Sequence, residues 1–150
     1  EIIDDSNGAV DFLQGHSAVD TNRLGITGFC MGGRVTWLMS AVSSAFKAAV
    51  PYYGVSIMDI WGAGNQSPFA LSSGINCPMM FHFGQEDGNP SRDDQVKLDQ
   101  ELTRLGKQHE FFSYPGAGHA FMDHTGERYN KDAAETSWPR TLEFFAQYLQ

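Results

Sequence analysis

The stretch RLGITGFCMGGR, residues 23–34, constrains what this chain can fold into more than any other stretch. Residues 24–29 are short and apolar, as expected of a strand covered on both faces, and a helical pattern begins directly after Cys30. Gly28 and Gly32 flank Cys30 two residues to either side, where side chains would clash in a sharp turn. The stretch therefore predicts a strand that turns abruptly into a helix at Cys30.

Such a turn places Cys30 at the carboxyl end of a strand, near a helix N-terminus whose free N–H groups favour negative charge. The pattern G-x-C-x-G matches the nucleophile elbow G-x-S-x-G, with cysteine in the serine position. An ordinary buried cysteine is the alternative, because free cysteines are among the most buried residues. That alternative does not explain the glycines at 28, 32 and 33, the last of which lets the helix lie close to the strand.

Length and composition are typical of one globular domain. The chain has 150 residues, of which 41% are hydrophobic, and this is enough to bury a substantial core. Its formal net charge of −8 argues against nucleic acid and anionic membranes as partners, since both need a basic face. No run is long and apolar enough to span a bilayer. We therefore expect residues 1–150 to form a single domain, with neither nucleic acid nor a membrane as a partner.

The two cysteines, Cys30 and Cys77, do not amount to a disulfide framework. Cys77 precedes a predicted strand and is interpreted as structural. Free thiols are simplest to explain in a reducing compartment, so we expect a cytoplasmic location. The sequence starts at Glu1 without a methionine, so a removed leader or a missing N-terminal segment stays open.

Strands alternate with helices along the whole chain, which predicts a parallel sheet with flanking helices. Predicted helices cover residues 2–14, the stretch from the turn to about residue 43, a segment from residue 93 to Gly106, and residues 132–149. Predicted strands cover residues 24–29, 46–53, 77–83 and 110–114. The last helix carries its larger apolar residues on one side, at Trp138, Leu142, Phe145 and Leu149.

Three predicted strands are followed by a reactive residue, in the order Cys30, Asp87 and His119. Ligands of an open parallel sheet bind outside the carboxyl ends of its strands, so we expect these side chains to lie together. A free thiol needs a neighbouring imidazole to form much thiolate at neutral pH, and a carboxylate on the other ring N–H would orient that imidazole. The order predicts a Cys-His-Asp triad, with the backbone N–H of Met31 as an oxyanion donor.

Two alternatives concern the same region. Glu86 directly precedes Asp87 and is a second candidate for the acid. His119, Asp123 and His124 are a conceivable set of metal ligands, although they lack a recognised ligand spacing.

Other side chains allow both a functional and a structural interpretation. Trp61, Phe69 and Phe121 either line a substrate pocket or cover the sheet. Arg34 is either a surface residue or a salt-bridge partner. His82 lies in the middle of a predicted strand, which favours a hydrogen-bonded core histidine over a ligand.

Four motifs resemble those of the dienelactone hydrolase family, cysteine-dependent α/β-hydrolases that open enol-lactones. They are GFCMGG at 28–33, PYYG at 51–54, GQED at 84–87 and YPGAGHAF at 114–121. The resemblance covers the whole chain and implies an α/β-hydrolase-type parallel sheet. It also implies a small ester or lactone as substrate, an acyl-thioester on Cys30, Asp87 as the acid, and no cofactor.

The chain departs from this family in two respects. The family's first strands, with a second oxyanion donor, an acidic residue and a substrate-binding arginine, have no counterpart, so the chain resembles a C-terminal portion. In dienelactone-specific members a second arginine, four residues after the histidine, binds the substrate carboxylate, and here that position is Asp123. Missing strands would leave the elbow strand unpaired, which predicts self-association through that edge. The alternative function is a catalytically incomplete fragment or interaction module.

Overall fold

Four parallel strands form one sheet in the order of the chain, and helices cover both of its faces. The computed structural model describes residues 1–62 and 64–150. The strands are β1 (Leu24–Phe29), β2 (Phe46–Tyr52), β3 (Met79–Gly84) and β4 (His109–Tyr114), paired in the order β1-β2-β3-β4. The helices are α1 (Ile2–Gln14), α2 (Met31–Val42), α3 (Arg92–Arg104) and α4 (Lys131–Tyr148), and a 3-10 turn covers Phe69–Gly74. The predicted α/β architecture is confirmed.

Two apolar cores lie on opposite faces of the sheet. Helices α1, α2 and α3 pack on one face, where Trp37, Phe81 and Leu98 are buried. Helix α4 packs on the other face. Every residue of β3 is buried because this strand has neighbours on both sides and helices on both faces. Strand β1 ends the sheet, and its residues alternate between more buried and exposed positions.

Helix α4 contacts the sheet through a side that the sequence pattern indicated only in part, since Phe145 and Leu149 pack against the core but Trp138 and Leu142 do not. Trp138 and Leu142 are 41% and 52% exposed. The buried residues of α4 are mostly small or hydroxyl-bearing: Ala133, Ala134, Ser137, Thr141 and Phe144. The physical reason is a polar contact with the sheet, since the Thr141 hydroxyl lies 2.6 Å from the Tyr52 hydroxyl of β2. Small side chains let the helix come close enough to make that bond.

Local sequence signals set the helix ends. Ser91 and Asp94 form a reciprocal capping box at the start of α3. The Asn130 side chain accepts the Ala133 N–H at 3.0 Å at the start of α4, and Gly15 follows the last residue of α1. Among the residues described, none of these helices has both the length and the apolar composition needed to cross a membrane.

Candidate active site

Cys30 occupies a strained turn between β1 and α2. Its φ of +57° and ψ of −117° are rare for a residue with a side chain and cost roughly 1–3 kcal/mol unless the surroundings enforce them. The Cys30 N–H donates to the Tyr52 carbonyl at 3.1 Å, and the Cys30 carbonyl accepts the Gly33 N–H at 3.0 Å. The turn is therefore held by β2 on one side and by the first turn of α2 on the other.

Close backbone contacts explain two of the three glycines around Cys30. A Cβ on Gly28 would lie 2.2 Å from the Gly32 carbonyl oxygen, and one on Gly33 would lie 2.5 Å from the Tyr52 carbonyl oxygen. A Cβ on Gly32 would meet nothing within 4 Å. The prediction that a side chain would clash is therefore correct for Gly28 and wrong for Gly32. The backbone of Gly32 is what a side chain at Gly28 would meet.

The loops after β3 and β4 meet because Gly84 has no side chain. A Cβ at Gly84 would lie 2.4 Å from the Ala117 carbonyl oxygen, and the Glu86 N–H donates to that same oxygen at 2.9 Å. This approach brings His119 Nδ1 to 3.0 Å from Asp87 Oδ2. The structure therefore brings the predicted acid and the predicted histidine into direct contact.

Asp87, and not the neighbouring Glu86, faces His119. The Asp87 side chain is 1% exposed, whereas Glu86 is exposed to solvent. The second oxygen of Asp87, Oδ1, accepts the Asn89 N–H at 2.8 Å. The Asn89 side chain is bonded in turn to Ser56, whose N–H it accepts at 2.8 Å and whose Oγ it reaches at 3.1 Å. The carboxylate is thereby fixed to the loop that follows β2.

The pKa of the His119 ring is raised to about 9. The hydrogen bond to the Asp87 carboxylate is the largest cause, and the Cys30 side chain acts in the same direction. Partial burial of the ring opposes both effects. The Asp87 carboxylate therefore favours the protonated form of the ring at neutral pH.

Backbone strain is concentrated at this edge of the sheet. The described part of the chain has four non-glycine residues with positive φ: Cys30, Tyr53, Ser56 and Ala120. The first ends β1, the next two follow β2, and the last follows His119. Strained conformations of this kind persist where the fold over-determines them and are commonest at functional sites.

An apolar groove of about 460 Å³ opens beside these residues. It is lined by Phe29, Tyr53, Met122, Asp123 and Trp138. Phe29 directly precedes Cys30, and the Tyr53 ring lies 5.1 Å from the His119 ring, centroid to centroid. The sequence reasoning missed Phe29, Met122 and Trp138 as lining residues, although the position of Phe29 beside the elbow was a usable signal.

The aromatic residues predicted as pocket candidates lie elsewhere. Phe121 is completely buried, with its ring 5.1 Å from the ring of Tyr53. Phe69 packs against the core on the α2 side of the sheet. Trp61 is 42% exposed, and the Arg34 guanidinium carbon lies 4.1 Å from its ring centroid. Phe121 thus supports the groove from below through Tyr53.

Arg34 is neither a surface residue nor a salt-bridge partner, contrary to both expectations. It is 6% exposed and donates to the backbone carbonyls of Ser56 and Asp59, the latter at 2.8 Å. Because Arg34 belongs to the first turn of α2, it attaches the loop after β2 to the elbow helix.

A metal site finds no geometric support within residues 1–62 and 64–150, where no group of three or more His, Cys, Asp or Glu side chains is placed to hold an ion. Asp123 instead accepts the Thr125 N–H at 3.1 Å and the Thr125 hydroxyl at 2.6 Å.

Comparisons with known proteins identify the family of the chain. Residues 1–149 match the model of the dienelactone hydrolase family. A protein of Methylorubrum extorquens named "Putative carboxymethylenebutenolidase" is 34% identical over 99% of this chain and 51% of its own length. A "Probable 2-oxo-3-(5-oxofuran-2-ylidene)propanoate lactonase" of Bradyrhizobium sp. is 33% identical over 99% of this chain and 60% of its own length.

A solved structure shows the same fold. The crystal structure of a "Putative Dienelactone Hydrolase" from Klebsiella pneumoniae superposes with a TM-score of 0.90 and 32% identity, covering 97% of this chain and 60% of that one. The chain spans 51% of the length of the Methylorubrum relative. With the family model, the shared fold and these identities, the chain belongs to the dienelactone hydrolase family of hydrolases.

Proposed function

We propose that this site hydrolyses small carboxylic esters or lactones through a triad of Cys30, His119 and Asp87. The observation that carries the proposal is the 3.0 Å contact between His119 and the buried Asp87 carboxylate, at the edge where the elbow ends β1. The names of two relatives, a butenolidase and a lactonase, denote lactone hydrolysis and support the same reaction type.

In the first half of the reaction the Cys30 thiolate attacks the ester carbonyl carbon, and its proton rests on His119. The carbonyl oxygen takes the negative charge and is held by the Met31 N–H at the start of α2. The carbon–oxygen bond of the ester then breaks, and His119 gives its proton to the leaving oxygen. The product of this half is an acyl-thioester on Cys30.

Hydrolysis of the thioester completes the cycle. The neutral His119 ring takes a proton from water, and the resulting hydroxide attacks the thioester carbonyl. The carbon–sulfur bond breaks, the acid leaves, and the thiolate–imidazolium pair is restored. Asp87 keeps the ring oriented and stabilises its charge throughout. No cofactor takes part in these steps.

The proposed oxyanion site has one donor from these residues, and each such donor contributes on the order of 3 kcal/mol to the transition state. A second donor would come from an upstream loop of the family fold. The chain spans only 51% of the length of the Methylorubrum relative. We therefore propose the hydrolase activity for the whole protein, in which such a loop could be present.

An activated aryl ester tests the proposal. We expect a burst of phenol and a mass increase on Cys30, both lost in Cys30→Ala and His119→Ala. Cys77→Ala is the matched control, since the other free thiol should be dispensable. Acylation at any other residue, or none in the wild type, would overturn the assignment.

A second candidate, an interaction module, is favoured by the exposed edge of the sheet. Strand β1 pairs only with β2 within the described ranges, and an unpaired edge tends to recruit another strand. We propose that these residues self-associate through β1. Sedimentation analysis should show concentration-dependent dimers that Thr27→Lys weakens, and a monomer at all concentrations would contradict this.

A cytoplasmic location is also proposed. Both cysteines are free thiols, and a reducing compartment preserves them. Cell fractionation of the full-length protein checks this.

A further inference from the structure

The groove beside His119 presents apolar surface to solvent. Phe29 and Trp138 are 40% and 41% exposed, and Met122 also lines the groove. A groove of about 460 Å³ falls within the range of small-molecule sites, about 300–1,000 Å³. Covering such surface with an apolar group is favourable, at roughly 25 cal/mol per Å² removed from water.

Among the described residues that line this groove, Asp123 is the one that carries a charge. The Thr125 hydroxyl and N–H both donate to Asp123, which lowers the pKa of its carboxyl group and keeps it ionised. Burial is the main cause of the raised pKa of Tyr53, which also lines the groove, and the negative charge of Asp123 adds a smaller contribution in the same direction. Arg128 and His124 lie near Asp123 but do not line the groove.

We propose that this groove binds the apolar acyl group of an uncharged ester, and that Asp123 selects against substrates with a carboxylate at that position. The inference rests on the proposed function, because it assigns a substrate class to the same site. Its physical basis is that apolar walls gain nothing from a charged group, while one carboxylate repels another that is bound close to it.

Binding of two inert amides tests the substrate class without relying on the chemistry of Cys30. Butyranilide and succinanilic acid share a ring and an amide, and they differ mainly in that the second ends in a carboxylate. Trp138 lines the groove, so its fluorescence should report occupancy, and Trp138→Phe should remove the signal while Trp37 and Trp61 remain.

We expect butyranilide to bind about three- to tenfold more tightly than succinanilic acid at low salt, with the gap narrowing as salt is added. Asp123→Asn should remove most of this gap because it keeps the side-chain shape and loses the charge. Asp93→Asn, on α3 and outside the groove, makes the same change in net charge and should leave the gap unchanged.

The outcomes separate this inference from the proposed function. Equal binding of the two amides, binding of neither, or the same response to Asp123→Asn and Asp93→Asn would overturn the substrate class. Discrimination between the amides without acylation of Cys30 would keep the substrate class and reject the proposed catalysis. Acylation of Cys30 without discrimination between the two amides would keep the proposed catalysis and reject the substrate class.

Discussion

Two histidines in neighbouring regions of the molecule have opposite properties. His82 lies within β3 with no exposed surface, 2.8 Å from the Tyr114 hydroxyl and 3.0 Å from the Thr141 hydroxyl. His119 lies in the loop after β4 with 23% of its side chain exposed, bonded to the Asp87 carboxylate. Burial lowers the pKa of His82 to about 3, whereas the carboxylate raises the pKa of His119 to about 9.

The comparison shows that the partner, more than the depth of the ring, decides which role a histidine takes. Hydroxyl groups satisfy both nitrogens of His82 but supply no negative charge, so burial, with a smaller contribution from the positive charge of Arg140, keeps the ring neutral. A carboxylate at His119 supplies charge, so the protonated ring is favoured despite partial burial. His82 therefore holds α4 to the sheet, and His119 is suited to proton transfer.

The largest effect on the rate of acylation should come from removing the Asp87 carboxylate, the partner that His119 has and His82 lacks. Asp87→Asn should slow acylation by an activated ester about 10³- to 10⁴-fold, because the ring loses its orientation and its charge partner. Burst kinetics measure this. Glu86→Gln, the adjacent exposed carboxylate, is the matched control and should change the rate less than about twofold. Equal losses in both variants would show that Asp87 has no special role at His119.

Removing each ring should affect stability very differently. His82→Ala leaves the Tyr114 and Thr141 hydroxyls without a partner and creates a cavity, which should cost about 2–4 kcal/mol. His119→Ala removes a partly exposed loop side chain and should cost less than about 1 kcal/mol at pH 10, where the contribution of the charged ring has already been lost. Urea unfolding at pH 10 compares the two variants, and similar losses for both would show that His82 does not hold the core together.

The two rings should also give opposite pH dependence. The pKa of His82 is lower in the folded protein than in the unfolded chain, so its contribution to the free energy of unfolding is complete above the unfolded pKa and is lost as the pH falls. Between about pH 6.5 and pH 5 this loss should be about 2 kcal/mol. His119 has a raised folded pKa, so its contribution is present below the unfolded value and is lost as pH rises through about 9.

Unfolding by urea at a series of pH values measures both slopes. His82→Gln should flatten the acid side of the stability curve, and His119→Gln should flatten the alkaline side. A variant that flattens the wrong side would contradict the assigned shifts.

A smaller effect should follow from weakening the loop contacts around Asp87 Oδ1, the oxygen that does not contact His119. Asn89→Ala breaks two side-chain bonds to Ser56 but leaves the backbone N–H that Asp87 accepts. We expect a loss of about 1 kcal/mol of stability and a several-fold slower burst. Ser56→Ala, which removes one of those bonds, should give the smaller loss. No change in the burst rate would show that this link does not position Asp87.

The smallest effect should come from Trp61. Trp61→Leu removes a cation–π contact with Arg34 that is worth about 0.5–1 kcal/mol at an exposed site. Burst kinetics should be unchanged because Trp61 does not line the groove. A large rise in KM for neutral esters would restore Trp61 as a substrate contact.

Sequence reasoning predicted the elements of the fold well because they follow from local signals. The apolar strands, the glycines at 28 and 33, and the order of reactive residues at strand ends are all visible without coordinates. The site's frame could be predicted for the same reason, since parallel strands end at one edge of a sheet.

What the sequence could not predict depends on contacts between distant segments. The inward side of α4 is set by Thr141 bonding to Tyr52 and His82, so apolar periodicity was right for Phe145 and Leu149 and wrong for Trp138 and Leu142. The roles of Arg34 and Asn89 depend on the loop after β2, which has no periodic pattern to interpret.

The Asp87 carboxylate favours the charged form of His119, whereas the buried ring of His82 stays neutral. An NMR titration of the imidazole nitrogens measures both rings in the same sample. We expect His119 to titrate near pH 9 and His82 to stay neutral down to about pH 4. Titration of His119 at or below about 6.5, the value for a free histidine, would contradict it.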